Sequence, residues 1–515
     1  MSQLLDPGRT CWRIEAAARF AVIVDGADYY RALKEAILKA RRSVAMIGWD
    51  FDTRVAIEPE GATLEGPNEL GEFLEWIVER NPELDVSILK WNLGIINTLS
   101  RGETPLYVLR WMSGASRVRL KLDAAHPVAA SHHQKIVVID DALAFCGGID
   151  ITMGRWDTRA HRDVEPRRRA PGRRGALLQP WHDATTCVDG PAARALGDLA
   201  RERWSRATGK APDAPPPPAD DDRLEDLWPD SVTPLARGVP VGISRTAGAF
   251  GAFAQVSEIE AMTLAMIAGA KRTIFVENQY FASRRIAEAM AARLAEPDGP
   301  EILMINPHSQ EGWLEEATMG AARVKLLALM RRADHHGRFR LFHPVTAGGV
   351  AIYVHAKIMI VDDRVLKIGS ANFNNRSMGF DTECDLSVDA ALMPDEAMAA
   401  ALEAQIAGVR DDLLAEHLGL APETIADAVA RGGSLVRAVD GFASETRRLQ
   451  PLQARDLDVL DQALAEADLV DPERPPRPLK ALARRFSTIM RPRAEPRPAL
   501  ASRRDPVPGS PGGGA

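Results

Sequence analysis

From Asp28 to Ala40 the apolar residues Tyr29, Leu33 and Ile37 recur four apart, which lines one face of a helix. Ser43 to Trp49 then runs nearly without polar breaks and predicts a buried strand. Leu84 to Trp91 and Val118 to Leu122 predict two more strands. The order recurs further on, with a helix near Glu258 to Ala270 and strands at Thr273 to Val276, Glu301 to Ile305 and Arg338 to Phe342. Alternating helices and strands predict an α/β fold in sandwich layers. Beyond about residue 410 the pattern turns helical, with Asp411 to Leu418 and Pro422 to Ala430 as candidates.

Punctuation between these stretches suggests the domains. The run Ala211-Pro212-Asp213-Ala214-Pro215-Pro216-Pro217-Pro218 and the acidic Asp220-Asp221-Asp222 read as an extended linker. From Asp471 onward proline, arginine and glycine dominate, as in a disordered tail. The expected division is a first lobe over 1–207, a linker over 208–238, a second lobe over 239–410, a helical extension over 411–470 and a basic tail over 471–515.

Composition adds limits rather than a function. With 515 residues, 46% hydrophobic and 26% charged, the chain has material for about two to three domain cores. A net charge of −7 gives no bulk electrostatic support for nucleic-acid binding. Cys11, Cys146, Cys187 and Cys384 are scattered without C-x-x-C pairing, so they read as buried free thiols rather than a zinc site or disulfide framework. The first residues lack the pattern of a signal peptide, and no apolar run is long enough to span a bilayer. A soluble cytoplasmic protein able to touch membrane surfaces is the expectation.

The chemistry lies in a repeated pattern. H-x-K-x-x-x-x-D occurs at His133-Lys135-Asp140 and again at His355-Lys357-Asp362, where chance predicts roughly 0.02 matches. HQKIVVIDDALAFCGGID from His133 to Asp150 aligns without a gap to HAKIMIVDDRVLKIGSAN from His355 to Asn372, at an offset of 222. Upstream, Ala40-Arg41-Arg42-Ser43-Val44 resembles Ala270-Lys271-Arg272-Thr273-Ile274. The chain reads as two similar halves from an internal duplication.

Ser131 to Ile139 reads as a strand, on which His133 and Lys135, two residues apart, leave the same face. Asp140-Asp141 suits the turn into Ala142 to Cys146, and Gly147 and Gly148 then permit close backbone approach. Two such hairpins brought together offer a nucleophilic histidine and an acidic one facing the same phosphorus. Lys135 and Lys357, helped by Asn372 and Ser370, would neutralise the nonbridging oxygens, so no metal or other cofactor is needed. Asp140 and Asp362 belong to the motif, yet their distance along the strand favours a structural role at the hairpin turn. Glu383 is a candidate for orienting a histidine, weighed evenly against an exposed surface acid.

At these residues the chain resembles the phospholipase D superfamily, and true phospholipases D most closely. Gly147-Gly148-Ile149-Asp150, Gly154-Arg155-Trp156-Asp157, Pro180-Trp181-His182-Asp183, Glu277-Asn278-Gln279-Tyr280-Phe281 and Gly369-Ser370-Ala371-Asn372 with Arg376-Ser377 are similar to segments of that subgroup. The resemblance implies two α-β-α-β-α sandwich lobes related by pseudo-twofold symmetry, with the active site at their interface. It implies a monomer acting on phospholipid at a membrane surface: His133 attacks phosphorus to form a phosphohistidine, and His355 protonates the leaving alcohol and then activates water. Phosphatidylcholine would yield phosphatidic acid and choline, with alcohols able to replace water. Asp150 stands where the second half has Asn372, which makes Asn372 the better oxyanion donor. Asp157 or Asp163 would serve His133 as Glu383 serves His355.

Two basic features bear on membrane contact. Arg167-Arg168-Arg169 with Arg173-Arg174 could meet anionic lipid, or form a solvated insertion. Leu479, Leu482, Phe486 and Ile489 share a helical face in the tail, as in a short interfacial helix, although the abundant prolines favour a disordered basic tail. Localisation is expected to be cytoplasmic or peripheral to a membrane, or outside the cell without a cleavable signal. Cardiolipin-synthase-like phosphatidyl transfer is the nearest alternative, followed by a nuclease and a noncatalytic lipid-binding protein.

Overall fold

In the computed structural model, residues 4–92, 106–171, 176–210, 212–215, 226–310 and 319–452 are described. Two long strands, β1 (Arg13–Val24) and β9 (Ala236–Ala247), pair antiparallel at the middle of one large sheet, with Ala17 opposite Val239. The first half supplies β2 (Ser43–Gly48), β3 (Asp85–Trp91), β4 (Val118–Asp123), β5 (Ile136–Ile139), β6 (Leu143–Gly147), β7 (Trp181–His182) and β8 (Ala184–Asp189). The second half supplies β10 (Val256–Ser257), β11 (Thr273–Asn278), β12 (Glu301–Ile305), β13 (Phe339–Pro344), β14 (Tyr353–Val354), β15 (Lys357–Val361), β16 (Val365–Gly369), β17 (Glu383–Asp389) and β18 (Leu449–Pro451).

Outward from β1 the order is β8, β6, β5, β2, β3, β4, and outward from β9 it is β17, β16, β15, β11, β12, β13, with β18 at that edge. On each side only the outer three strands, β2 to β4 and β11 to β13, run parallel. Away from the large sheet, β7 and β14 form a two-stranded parallel pair that joins the halves.

Strand alternation divides the core. In β5, Ile136 and Val138 face one apolar cluster while Val137 and Ile139 face another; in β15, Ile358 and Ile360 share the first cluster while Met359 and Val361 join a third. This is the period-two arrangement of a strand covered on both faces. The shared cluster draws Leu196 and Leu199 from the helix Pro191–Thr208 and Leu402, Ile406 and Leu413 from the helix Glu396–Leu418. Each half keeps its own cluster on the opposite face, built in the first half around the helices Gly26–Leu38 and Leu70–Arg80.

The mixed α/β architecture is present, with adjustments to the expected elements. The helix Glu396–Leu418 crosses position 410, so the extension expected from 411 begins inside an element whose apolar face is already core. The latter part of the expected linker is packed: Trp228 is buried, Asp226 pairs with Arg19 at 2.6 Å, and β9 starts at Ala236. The strands β1, β8, β9 and β17 were not anticipated. The tail helix proposed around Leu479 lies outside the described residues. No helix among the described residues is long and apolar enough to cross a membrane.

Candidate functional site

Both H-x-K segments reach across to the opposite half. The His133 N–H donates to Thr382 O at 2.9 Å, and the Thr382 N–H donates to Ser131 O at 3.0 Å. Correspondingly, the His355 N–H donates to His182 O at 2.7 Å and the Tyr353 N–H to Pro180 O at 2.9 Å. The strand expected over Ser131 to Ile139 is therefore confined to β5, because the backbone before it bonds to the chain entering β17 rather than to a sheet neighbour.

The same crossing brings an acid to each imidazole. His133 Nδ1 lies 3.0 Å from Glu383 Oε2, and His355 Nδ1 lies 2.6 Å from Asp183 Oδ2. Glu383 opens β17 and Asp183 directly precedes β8, so each acid comes from the half that does not carry its histidine. This corrects the expected assignment, in which Glu383 served His355 and Asp157 or Asp163 served His133. Asp157 instead binds Arg168 at 2.8 Å and His161 at 3.0 Å, and Asp163 accepts from Gly348 N–H at 3.0 Å. With Nδ1 engaged on both rings, Nε2 is left for a cavity of about 240 Å³ lined by both histidines, Asp150, Asn372, Trp49 and Tyr280.

Lysine charges flank the pair. Lys135 Nζ is 3.1 Å from Asp150 Oδ2 and donates to His133 O at 3.0 Å. Lys357 Nζ donates to Gln279 Oε1 at 3.3 Å and to His355 O, and stands 2.9 Å from His355 Nδ1. Asp150 also accepts from Trp49 N–H at 3.0 Å, whereas its counterpart Asn372 lines the cavity with its buried Oδ1 unpaired among the described residues. Ser370 differs from expectation: its hydroxyl donates to Glu383 Oε2 at 2.5 Å, while Ser377 donates to Oε1 at 2.7 Å. It holds the acid rather than facing the cavity.

The motif aspartates stand at the far ends of β5 and β15. Asp140 accepts from the N–H groups of Arg41, Arg42 and Ser43 at 2.8, 2.9 and 2.7 Å. Asp362 accepts from Lys271, Arg272 and Thr273 at 2.7, 2.6 and 2.9 Å. Both adopt positive φ, 50° and 56°, a conformation that aspartate tolerates better than most residues. They thus clamp the turns that open β2 and β11, the same turns whose sequences echo each other. Gly147 and Gly369 mark the other end of each hairpin, where a Cβ would come within 2.3 Å of Thr185 Cα or 2.4 Å of Asp385 Cα.

Burial sets the electrostatics. Desolvation, then the Lys135 and Lys357 charges, hold His133 well below the usual imidazole value; desolvation and Lys357 do the same for His355. Desolvation lowers Lys357 to about 7 against the pull of Asp183. It raises Glu383 to about 8 despite the two serine donors, and raises Asp183 despite Lys357. Without a bound anion the neutral imidazoles are favoured; an arriving phosphodiester anion would reinforce the cationic groups and favour the proton that His355 needs to act as an acid.

Sequence reasoning missed Asp183 as a partner because of an insertion. Asp150 to Asp183 spans 33 positions and Asn372 to Glu383 spans 11, so the gapless offset sets His161 opposite Glu383. A second spacing carried the signal: Asp183 is followed six residues later by Asp189, and Glu383 by Asp389. The supposed basic loop is also different, since Arg168 is buried on Asp157 and Arg167 pairs with Glu165 at 2.7 Å. Arg173 and Arg174 lie outside the described residues.

Comparison with known proteins gives the family and the fold. The family model described as Phospholipase D matches residues 36–215 and 338–446, more than half of the chain. Phospholipase D A of Dictyostelium discoideum is 25% identical over 78% of this chain and 35% of its own length. Phospholipase D1 of Schizosaccharomyces pombe is 26% identical over 48% of this chain and 24% of its own. The chain therefore spans about a third or less of these two relatives. In fold, it is similar to the crystal structure of phosphatidylserine synthase from Haemophilus influenzae Rd KW20, with a TM-score of 0.51 and 13% identity over 93% of this chain and 95% of that one. A family match that includes both histidine motifs, joined to a shared fold, leads to one conclusion: the chain belongs to the phospholipase D family.

Proposed function

We propose that this protein is a phospholipase D that hydrolyses the terminal phosphodiester of glycerophospholipids such as phosphatidylcholine. One observation carries the reading: two imidazoles, each bound at Nδ1 to a carboxylate, line one cavity beside two lysines. His133 Nε2 attacks phosphorus as the bond to the headgroup oxygen breaks, and His355 gives that oxygen its proton. His355 then takes a proton from water, whose oxygen displaces His133 from phosphorus and releases phosphatidic acid. Glu383 and Asp183 hold the rings and stabilise their charged forms. Lys135, Lys357 and Asn372 meet the nonbridging oxygens. An alcohol in place of water gives transphosphatidylation.

The matched strand orders and reciprocal acids support two α-β-α-β-α lobes related by pseudo-twofold symmetry, with Asp140 and Asp362 holding the turns behind the site. On this reading a monomer contains a complete site and works peripherally on a phospholipid surface.

The test is incubation of purified protein with phosphatidylcholine vesicles and ethanol, with choline and phosphatidylethanol measured. Both should form, and His133→Ala or His355→Ala should each lower turnover by at least about 10³-fold. Turnover of phosphatidylglycerol or single-stranded DNA with neither expected product would overturn the reading.

A further inference from the structure

Behind His355 lies a polar cluster that the proposed reaction does not use. Asp25 sits between β1 and the first helix, His161 follows β6, His182 closes β7, and Glu416 comes from the helix Glu396–Leu418 of the other half. Asp25, His161 and His182 are buried, and the Glu416 side chain is 2% exposed. One donor atom from each can be chosen so that all four lie within 4.8 Å of one another.

The inward-facing atoms are spaced for a shared cation. His161 Nε2 stands 3.0 Å from Glu416 Oε1 and 3.3 Å from Asp25 Oδ2. His182 Nδ1 stands 2.8 Å from the same Glu416 oxygen and 3.3 Å from Asp25 Oδ1. Donors bound to tetrahedral zinc at about 2.0–2.2 Å lie roughly 3.3–3.6 Å apart; the two Asp25 contacts match this, and the two Glu416 contacts would open by about 0.3–0.8 Å around an ion. Asp25 Oδ2, fully buried, has no hydrogen-bond partner among the described residues.

The outward-facing ring nitrogens are already occupied. His161 Nδ1 is 3.0 Å from Asp157 Oδ2, which Arg168 and Trp181 N–H also hold. His182 Nε2 is 2.8 Å from Glu277 Oε2, whose other oxygen meets His417 Nε2 at 2.8 Å. Each imidazole therefore has carboxylate oxygens at both nitrogens, although a neutral ring has one N–H to give. Either an extra proton on each ring or one shared cation resolves this. Carboxylates behind the rings are the usual support for metal-binding histidines. Charge points the same way: Asp25, Asp157, Glu277, Glu416 and Asp412 against Arg159 and Arg168 leave three negative charges, most of which one divalent ion would offset. Two imidazolium ions would offset as much, but would leave Asp25 Oδ2 without a hydrogen bond.

We propose that Asp25, His161, His182 and Glu416 bind one divalent metal ion, zinc by the chemistry of the donor set, as a structural brace beneath His355. The brace acts through backbone: His182 O receives the His355 N–H at 2.7 Å, and Asp183 O receives the Asp25 N–H at 2.8 Å. It also fastens the helix Glu396–Leu418 to the first half. It takes no part in the proposed reaction, so either inference can fail without the other.

The test is elemental analysis of the full-length chain, made without a histidine tag in zinc-supplemented medium and dialysed. About one equivalent of zinc or another divalent transition metal is expected per chain. His161→Gln and Glu416→Gln should each lose it, while Asp412→Asn, outside the cluster, should keep it. Chelator should lower the melting temperature of the wild type and leave the melting of the metal-free variants unchanged. Wild-type protein that carries far less than one equivalent, and binds no zinc on reconstitution while remaining folded, would overturn the proposal. Retention of metal by folded His161→Gln would overturn it as well.

Discussion

Substituting Asp362 separates a clamp from a catalytic acid. Its carboxylate accepts three backbone N–H groups at 2.6 to 2.9 Å, each worth about 1 kcal/mol net. Alanine would lose all three and must also hold φ at 56°, which adds about 1 kcal/mol. The expected cost is then about 4 kcal/mol. Asparagine keeps one oxygen and tolerates positive φ, so Asp362→Asn should cost about 1–2 kcal/mol. Unfolding entropy is about 2.1 cal/mol/K per residue, so a unit of this size loses only about 1 °C per kcal/mol. Calorimetry should show a drop of about 4 °C for Asp362→Ala if the chain melts as one unit. Five strand steps separate Asp362 from Lys357, roughly 16 Å, so kcat/KM at 20 °C should stay within about twofold. The same holds for Asp140, which accepts an equivalent set of N–H groups. A variant with unchanged melting and a hundredfold loss of kcat/KM would refute the assignment.

Other expectations follow from the same geometry. Glu383→Gln and Asp183→Asn should each lower kcat by about 10²–10⁴-fold with little change in melting, since each removes the group that fixes and charges an imidazole; wild-type turnover in either would contradict the reciprocal pairing. The acid limb of kcat/KM should lie below pH 6.5, because His133 is held below that value and must be neutral to attack. As pH rises, first His355, which must carry a proton to act as the acid, and then, through about 7, Lys357 lose their charge, so kcat/KM should already be falling by about pH 7; bound anionic substrate favours both charged forms, so the corresponding fall in kcat should come at higher pH. An alkaline limb of kcat/KM at the ordinary lysine value of 10.5 would exclude Lys357 as the group responsible. Gly369→Ala forces a Cβ into the Asp385 backbone, and loss of soluble, cooperatively melting protein is expected; unchanged melting would show that the hairpin has room to yield.

Much of this site was legible because both hairpins repeat in register and because H-x-K ties two chemical groups to one short segment. The outer strands were legible too: β2, β3, β11 and β12 are short apolar runs after helical patterns or turns. The seam was not. In β1, Arg13-Ile14-Glu15-Ala16-Ala17-Ala18-Arg19 mixes charge with alanine, and in β17 the buried Asp385 and Asp389 interrupt the apolar pattern because Lys367 and Arg364 neutralise them. A buried ion pair looks like a surface position in a one-dimensional pattern. Glu416 was hidden differently, since nothing local distinguishes a helix carboxylate that reaches another half's histidines from one that faces solvent.

The exchange of acids between halves also constrains how such a gene can change. A half-length product carries a histidine without its acid and an acid without its histidine, so its smallest heritable working unit is two copies. Once both copies share one reading frame, each dyad draws one residue from either repeat, and the partners can diverge separately. Glu383 and Asp183 differ by one methylene, and the 33 and 11 positions before them differ in length, yet both dyads close. Recombination that swapped one repeat for its sibling would therefore alter both dyads at once.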